Sequence, residues 1–272
     1  EDLQRIDACW SVTAGLAMVD PIRAADFNVR QLLWALAIGD AYRSARALAL
    51  EAGFSVIIPL VGGDGRSAEL TRRAASLAGA DGQHYVEALT AEWAGIAAFL
   101  TGRWSEATRL CGEAMATLRD RCTGVTWELN LARGFFLFSL LYRGELREAA
   151  GHLPGLLEQA REHGNVYLAL ELSTRLSLVW LAADAPDDAE RVANESLARW
   201  SQRGFQRPHY HHLLTLVQTR LYRGQALEAW DLVEGHQAPL QQSLFRRVQH
   251  TRVESANCRA RCALAMAAAG HE

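Results

Sequence analysis

The sequence predicts an all-α protein, an α-solenoid of antiparallel helix pairs with a period of about 40 residues, and three observations carry that prediction. Gly82, Gly124, Gly164 and Gly204 recur at steps of 42, 40 and 40 residues. Gly102, Gly144, Asp184 and Gly224 repeat the same rhythm, each 20 residues after its counterpart in the first series. The intervals between these turn residues carry apolar residues at helical spacing, so each repeating unit is a pair of helices joined by a tight turn. Such a unit cannot bury its apolar face alone and must stack on its neighbours, which leaves a long surface suited to holding another molecule.

In chain order, helices are expected near residues 2–18, 21–38 and 41–58, the second opened by Asp20 as N-cap and Pro21 at the first helical position. The run Val61-Gly62-Gly63-Asp64-Gly65 marks a break, and a helix near 66–79 resumes the pattern. Helix pairs follow near 83–101 with 104–120, 124–143 with 146–163, 165–183 with 186–203, and 208–223 with 225–235. A long helix near 239–269 is expected to close the stack. The organisation is therefore an N-terminal helical segment over residues 1–61, a Gly-rich loop at 62–65, repeats over 66–235 and a C-terminal capping helix within 236–272.

Glycine ends a helix in the left-handed conformation without steric cost, which accounts for both series. In the second series an alanine follows five residues later, as Ala107, Ala149, Ala189 and Ala229, small enough for the second helix to approach the first. Tyr85, Trp127 and Tyr167 follow the first series at three residues, and Tyr210 follows Gly204 at six; these rings are expected to fill the wedge between successive pairs.

Composition narrows the function classes. The net charge is −3 with acidic and basic residues interspersed, which leaves no footprint for nucleic acid or an anionic membrane. All 28 basic residues are arginine, and with the abundant alanine this points to a GC-rich bacterial genome. Cys9, Cys111, Cys122, Cys258 and Cys262 are too scattered for a disulfide framework and fit a reducing cytoplasm. No segment has the length of a membrane span, and the N-terminus lacks the pattern of a secretory signal. The chain starts without Met, so a fragment of a longer protein is expected.

Local chemistry is sparse, and neither a metal nor another cofactor is expected. Gly62–Gly65 precedes a helix, as a phosphate loop would, yet lacks the Gly-Lys-Ser/Thr ending. His209 and His212 share a helix face without a carboxylate one turn on, and Cys258 and Cys262 read as small hydrophobes in a helical core. Asp184, Asp187 and Asp188 suit a turn and a helix start. Trp34, Trp93, Trp180 and Trp230 fall in apolar helical patterns and are assigned to core packing. No nucleophile–base pair or complete metal motif appears, so an enzyme is not expected.

The turn Gly-x-[aromatic or Leu]-x-x-Ala, best seen in Gly102, Trp104, Ala107 and the later Ala114, resembles that of tetratricopeptide repeats, with Gly95 and Ser177 as the small residues inside first helices. Leu137 and Val217 stand where that pattern has a small residue, and the period of 40–42 exceeds the usual one by about one turn in each helix. The resemblance implies that first helices line the binding groove, which nominates Glu92, Asn130, Arg133, Glu171, Thr174, Arg175, His211, Thr215 and Gln218 as a solvated partner-binding face. Arg133 and Arg175 would hold a partner carboxylate with forked hydrogen bonds.

The stretches Arg5–Asp20, Arg46–Ala52 and Gly95–Leu100 with Gly102-Arg103-Trp104 also resemble the C-terminal helical region of large bacterial proteins that join a Ser/Thr protein kinase domain to a signal-transducing ATPase module. That likeness implies a regulatory or sensor arm binding a protein or peptide, including other domains of the same chain. The alternative is a sensor that holds a small effector in its groove.

Overall fold

In a computed structural model, residues 1–17, 20–57, 63–78, 84–243 and 248–270 are described. All regular structure among them is helical: α1 Asp2–Leu16, α2 Pro21–Ile38, α3 Ala41–Ile57, α4 Gly63–Ala78, α5 His84–Leu100, α6 Trp104–Arg121, α7 Thr126–Tyr142, α8 Leu146–Glu162, α9 Val166–Arg175, α10 Ser177–Ala182, α11 Pro186–Leu197, α12 Arg207–Tyr222, α13 Ala226–Gly235, α14 Gln237–Gln242 and α15 Gln249–Ala268. The helices pack on their neighbours in the chain and form two compact units, residues 1–139 and 140–272, with the boundary inside α7.

The expected turns are where the backbone requires them. Gly102, Gly144, Asp184 and Gly224 each sit two residues before the first residue of the next helix and take φ values of 83°, 77°, 55° and 74°. At each turn the following residue donates to the carbonyl five positions before it: Arg103 to Ala98, Glu145 to Leu140, Ala185 to Trp180 and Gln225 to Arg220. This is a Schellman closure, which satisfies carbonyls orphaned by the helix end and demands a left-handed residue. Asp184 meets the demand without being glycine because a short polar side chain tolerates that region, and the Tyr222 hydroxyl donates to its Oδ1 at 2.7 Å. Gly124, Gly164 and Gly204 also have positive φ, while Gly82 lies outside the described residues. Ala107, Ala149, Ala189 and Ala229 are fully buried, as the close approach of paired helices predicts.

In the first unit the core runs through α3, α5 and α6. Trp93 is completely buried and tilts against Phe54, ring centroids 5.7 Å apart. Gly95 has the packing role expected of it: a Cβ there would lie 2.6 Å from the Cys111 Sγ of α6. Asp20 caps α2 by accepting from the Arg23 amide, as the sequence predicts. In the second unit Leu213, Val217, Ala229, Val233 and Cys262 form a core between α12, α13 and α15.

Several expectations require correction. Helix α4 begins at Gly63, so Gly63, Asp64 and Gly65 belong to its first turn and the break placed at 62–65 is not a loop there; Gly62 is outside the described residues. The helix expected over 165–183 breaks at Leu176, where the Ser173 and Thr174 hydroxyls donate to the Ala169 and Leu170 carbonyls just upstream. The helix expected to reach 203 ends at Leu197, and Trp200 beyond it donates its indole N–H to Gln206 at 2.7 Å. The single helix expected over 239–269 is two, because Ser243 and Val248 take extended conformations that cannot continue a helix. Trp34 is 41% exposed on α2, beside exposed Leu33, and is not a core residue.

Candidate functional site

Of the polar residues nominated from the first helices, Glu171, Thr174, Arg175, His211, Thr215 and Gln218 come together in the second unit as a largely buried network, while Glu92, Asn130 and Arg133 lie in the first unit. The most regular part is a ladder in which each rung links residues one period apart. Ser177 donates to Gln218 Oε1 at 2.8 Å, Thr215 donates to the Thr174 carbonyl at 2.7 Å, and His211 meets Glu171 at 3.0 Å, across separations of 41, 41 and 40 residues. Arg207 adds two more contacts, to the Tyr167 hydroxyl and, at 3.0 Å, to Glu171 Oε2. The ladder arises because α9 and α10 lie beside α12 in register, so residues at equivalent places in successive pairs face each other.

Glu171 is the electrostatic centre of this network, with only 4% of its side chain exposed. Burial opposes its charge, but the Arg207 guanidinium, His211 and the Arg175 guanidinium at 3.8 Å outweigh that cost and hold the carboxyl well below the usual range. Burial pushes the His211 imidazole down, Glu171 opposes this through its charge and hydrogen bond, and the positive charges of Arg175 and Arg207 add to the lowering. Facing an ionised carboxylate, the His211 Nδ1 carries a proton and donates to Glu171.

The network extends to residues that the sequence did not nominate. Tyr142, in the last turn of α7, donates to Glu254 Oε1 of α15 at 2.7 Å and lies 3.2 Å from His250 Nε2. Burial opposes the Glu254 charge, yet His250, His211, Arg175 and the Tyr142 hydroxyl bring its carboxyl below the ordinary range. Tyr167 and Arg207 stand 40 residues apart, so the period could have found them. Tyr142 and Glu254 are 112 residues apart and carry no comparable signal.

The first unit places Glu92 differently. It is 0% exposed, and neither carboxylate oxygen has a hydrogen-bond partner among the described residues. Burial and the neighbouring charge of Glu128 raise its carboxyl well above the usual range. Glu128 is itself buried and accepts from the Tyr85 hydroxyl at 2.7 Å. Nearby, Asp7 binds Arg43 and Arg46, and the Arg46 guanidinium stacks 4.6 Å from the Trp10 ring centroid.

These positions change the expected solvated face. Glu92, Glu171, Thr174, His211 and Thr215 are buried; Glu171, Thr174, His211 and Thr215 bond across adjacent first helices instead of facing solvent, whereas Glu92 is enclosed without a bond. Asn130, Arg133 and Gln218 are partly exposed, whereas the Arg175 side chain is 9% exposed and is engaged with Glu171. Arg133 belongs to the first unit and Arg175 to the second.

The histidine cluster divides among local roles. His209 accepts from the Gln206 amide to complete a capping box, His211 joins Glu171, and His212 bonds Asn194 at 2.7 Å. No group of three or more His, Cys, Asp or Glu with metal-holding geometry occurs among the described residues. A cleft of about 820 Å³ opens elsewhere in the second unit, between α8, α9, α10 and α11. It is lined by Arg161, Arg191, Arg199, Glu158, Glu195 and Trp180 among others, and by none of the nominated groove residues.

No helix among the described residues is long and apolar enough to cross a membrane. Compared with known proteins, the chain matches no family model and no curated sequence.

Proposed function

We propose that this chain is a non-catalytic scaffold of tetratricopeptide-like repeats, arranged as an α-solenoid, that holds a protein or peptide partner and serves as the regulatory arm of a larger bacterial signalling kinase–ATPase. The observation that carries the scaffold reading is the ladder of bonds spaced by one period from α9 and α10 to α12. Repeating units stacked in constant register generate an extended surface, and the usual work of such a surface is recognition. The turns support the same reading, since identical closures at Gly102, Gly144, Asp184 and Gly224 set each pair by the same backbone geometry. The kinase–ATPase assignment rests on the sequence resemblance alone.

Arg133, Asn130 and Gln218 are the nominated side chains with exposed surface for a partner. In a pull-down with the purified chain as bait, Arg133→Ala or Gln218→Ala is expected to weaken capture of a partner, and Arg147→Ala or Arg191→Ala to leave it unchanged. The opposite pattern would move the binding face to the second helices.

The second reading, a small-effector sensor, is favoured by the cleft between α8 and α11, whose arginines and carboxylates suit a zwitterionic or acidic ligand. Screening cell metabolites by thermal shift tests it: a saturating rise in melting temperature that Arg199→Ala abolishes supports the sensor, and no shift removes it.

A further inference from the structure

Helix α2 is turned inside out. Its buried stripe is small and polar, made of Ala24, Asn28, Gln31 and Ala35. Asn28 donates to the Ala47 carbonyl at 3.2 Å and to Glu51 Oε2 at 3.1 Å, and Gln31 donates to Asn28 Oδ1 at 2.8 Å, so hydrogen bonds fasten α2 to α3. Large apolar side chains face outward: Ile22, Val29, Leu33 and Leu36 are 41%, 41%, 60% and 54% exposed, with half-buried Ala25 among them. At about 3.6 residues per turn these positions fall within an arc of about 80°, on the side away from the buried stripe. Buried polar groups and a contiguous exposed apolar strip on one helix mark an interaction face. The outward positions of α6 and α11 hold ion pairs instead, Arg109 with Glu113 at 2.8 Å and Arg191 with Glu195 at 3.2 Å.

We propose that α2 is a homodimerisation face, packed antiparallel against α2 of a second copy of this chain. The stripe fits itself, because its steps from Ile22 through Ala25, Val29 and Leu33 to Leu36 are 3, 4, 4 and 3 residues, symmetric about Val29. A two-fold axis at Val29 therefore sets Ile22 on the partner's Leu36, Ala25 on the partner's Leu33 and Val29 on the partner's Val29, and the small Ala25 leaves room for the larger Leu33. Asp26 and Arg30 flank the stripe, opposite in sign and bonded to each other at 3.1 Å, so the two copies meet without a net charge between them. Covering the stripe removes roughly 300 Å² of apolar surface from water on each copy. With the polar rim that surrounds such a patch, the contact totals about 1,000 Å² over both copies, the lower end for a specific interface. The dimer is therefore reversible on dilution. The nominated groove residues lie on other helices and take no part in this contact.

Sedimentation equilibrium of the full chain across about 1–100 μM tests the proposal. The wild type is expected to pass from monomer to dimer over that range. Leu33→Glu should weaken the dimer at least about tenfold, because it buries a carboxylate against apolar side chains. The circular dichroism and melting of the monomer should stay unchanged, since Leu33 is exposed there. Ala25→Arg should weaken the dimer in the same way. Combining the two substitutions on one chain should restore it, because each guanidinium then meets the partner's new carboxylate, whereas within one chain the two stand about 12 Å apart along the helix. Arg109→Ala on α6 should leave the equilibrium as in the wild type. A wild type that is monomeric throughout overturns the proposal and leaves the stripe to a helix of a different protein. A dimer that survives both single substitutions, or one that the double variant does not restore, overturns it as well.

Discussion

Each unit buries a glutamate inside a first helix, and the two are treated in opposite ways. In the second unit Glu171 is ionised among Arg207, His211 and Arg175. In the first unit Glu92 has no hydrogen-bond partner among the described residues and faces the charge of Glu128, so its carboxyl is held neutral far above the usual range. A buried charge is tolerable when a cation and donors replace water, and an unpartnered buried acid escapes the larger cost by keeping its proton. The same residue type at similar depth therefore acts as the hub of an inter-helix lock in one unit and as a stability cost in the other.

The largest effect should come from stripping Glu171 of its cation. Arg207→Met is expected to destabilise by about 3–5 kcal/mol in chemical denaturation, because it leaves a charge buried without its main partner. A loss below about 1 kcal/mol would show that Arg175 and His211 suffice, and would weaken the contrast between the units.

Glu92→Met should move stability the other way, raising it by about 1–3 kcal/mol at neutral pH, since it replaces an unsatisfied buried acid with an apolar side chain of similar size. Its pH dependence sharpens the comparison. The folded-state carboxyl of Glu92 is raised above 4.5, so its contribution is fully present below about pH 4.5 and is lost as pH rises through the folded value. The advantage of Glu92→Met should grow above pH 4.5, by at most about 1.4 kcal/mol per pH unit. Glu171 has the opposite sign: its contribution is present above pH 4.5 and is lost as pH falls through its lowered value. The difference between wild type and Glu171→Gln should therefore shrink only on the acid side of 4.5. Parallel pH profiles for the two substitutions would abolish the distinction.

The turns offer a control in which the units should agree. Gly102 and Gly144 have φ of 83° and 77°, with open space where a Cβ would stand, so the cost of a side chain is conformational and not steric. Gly102→Val and Gly144→Val should each destabilise by somewhat more than ~1 kcal/mol, and by similar amounts. An unchanged denaturation midpoint at either position would mean that its turn relaxes without the left-handed residue.

Much of the helical framework was legible because its determinants are local. Gly102, Gly144, Asp184 and Gly224 end helices by a backbone preference that belongs to the residue itself, and Ala107, Ala149, Ala189 and Ala229 mark the close approaches by their size. The break at Leu176 was not legible, since the residues around it are compatible with a continuous helix and no glycine or proline marks the point where the backbone leaves the helical region. Trp34 reads as a core residue by periodicity, yet burial needs a neighbour on that face of α2, and its indole is left partly in solvent.

The candidate site divides along the same line. By itself the sequence determined where the helix pairs turn, at Gly102, Gly144, Asp184 and Gly224, and which polar residues interrupt their apolar faces, because those properties depend on each residue's conformational energy and spacing. Only the tertiary structure decided that Glu171 meets His211 and Arg207, that Glu92 meets no partner, and that Glu254 returns to Tyr142. Those outcomes depend on the register of helices 36 to 112 residues apart, and the energy of a buried charge depends on what that register places beside it.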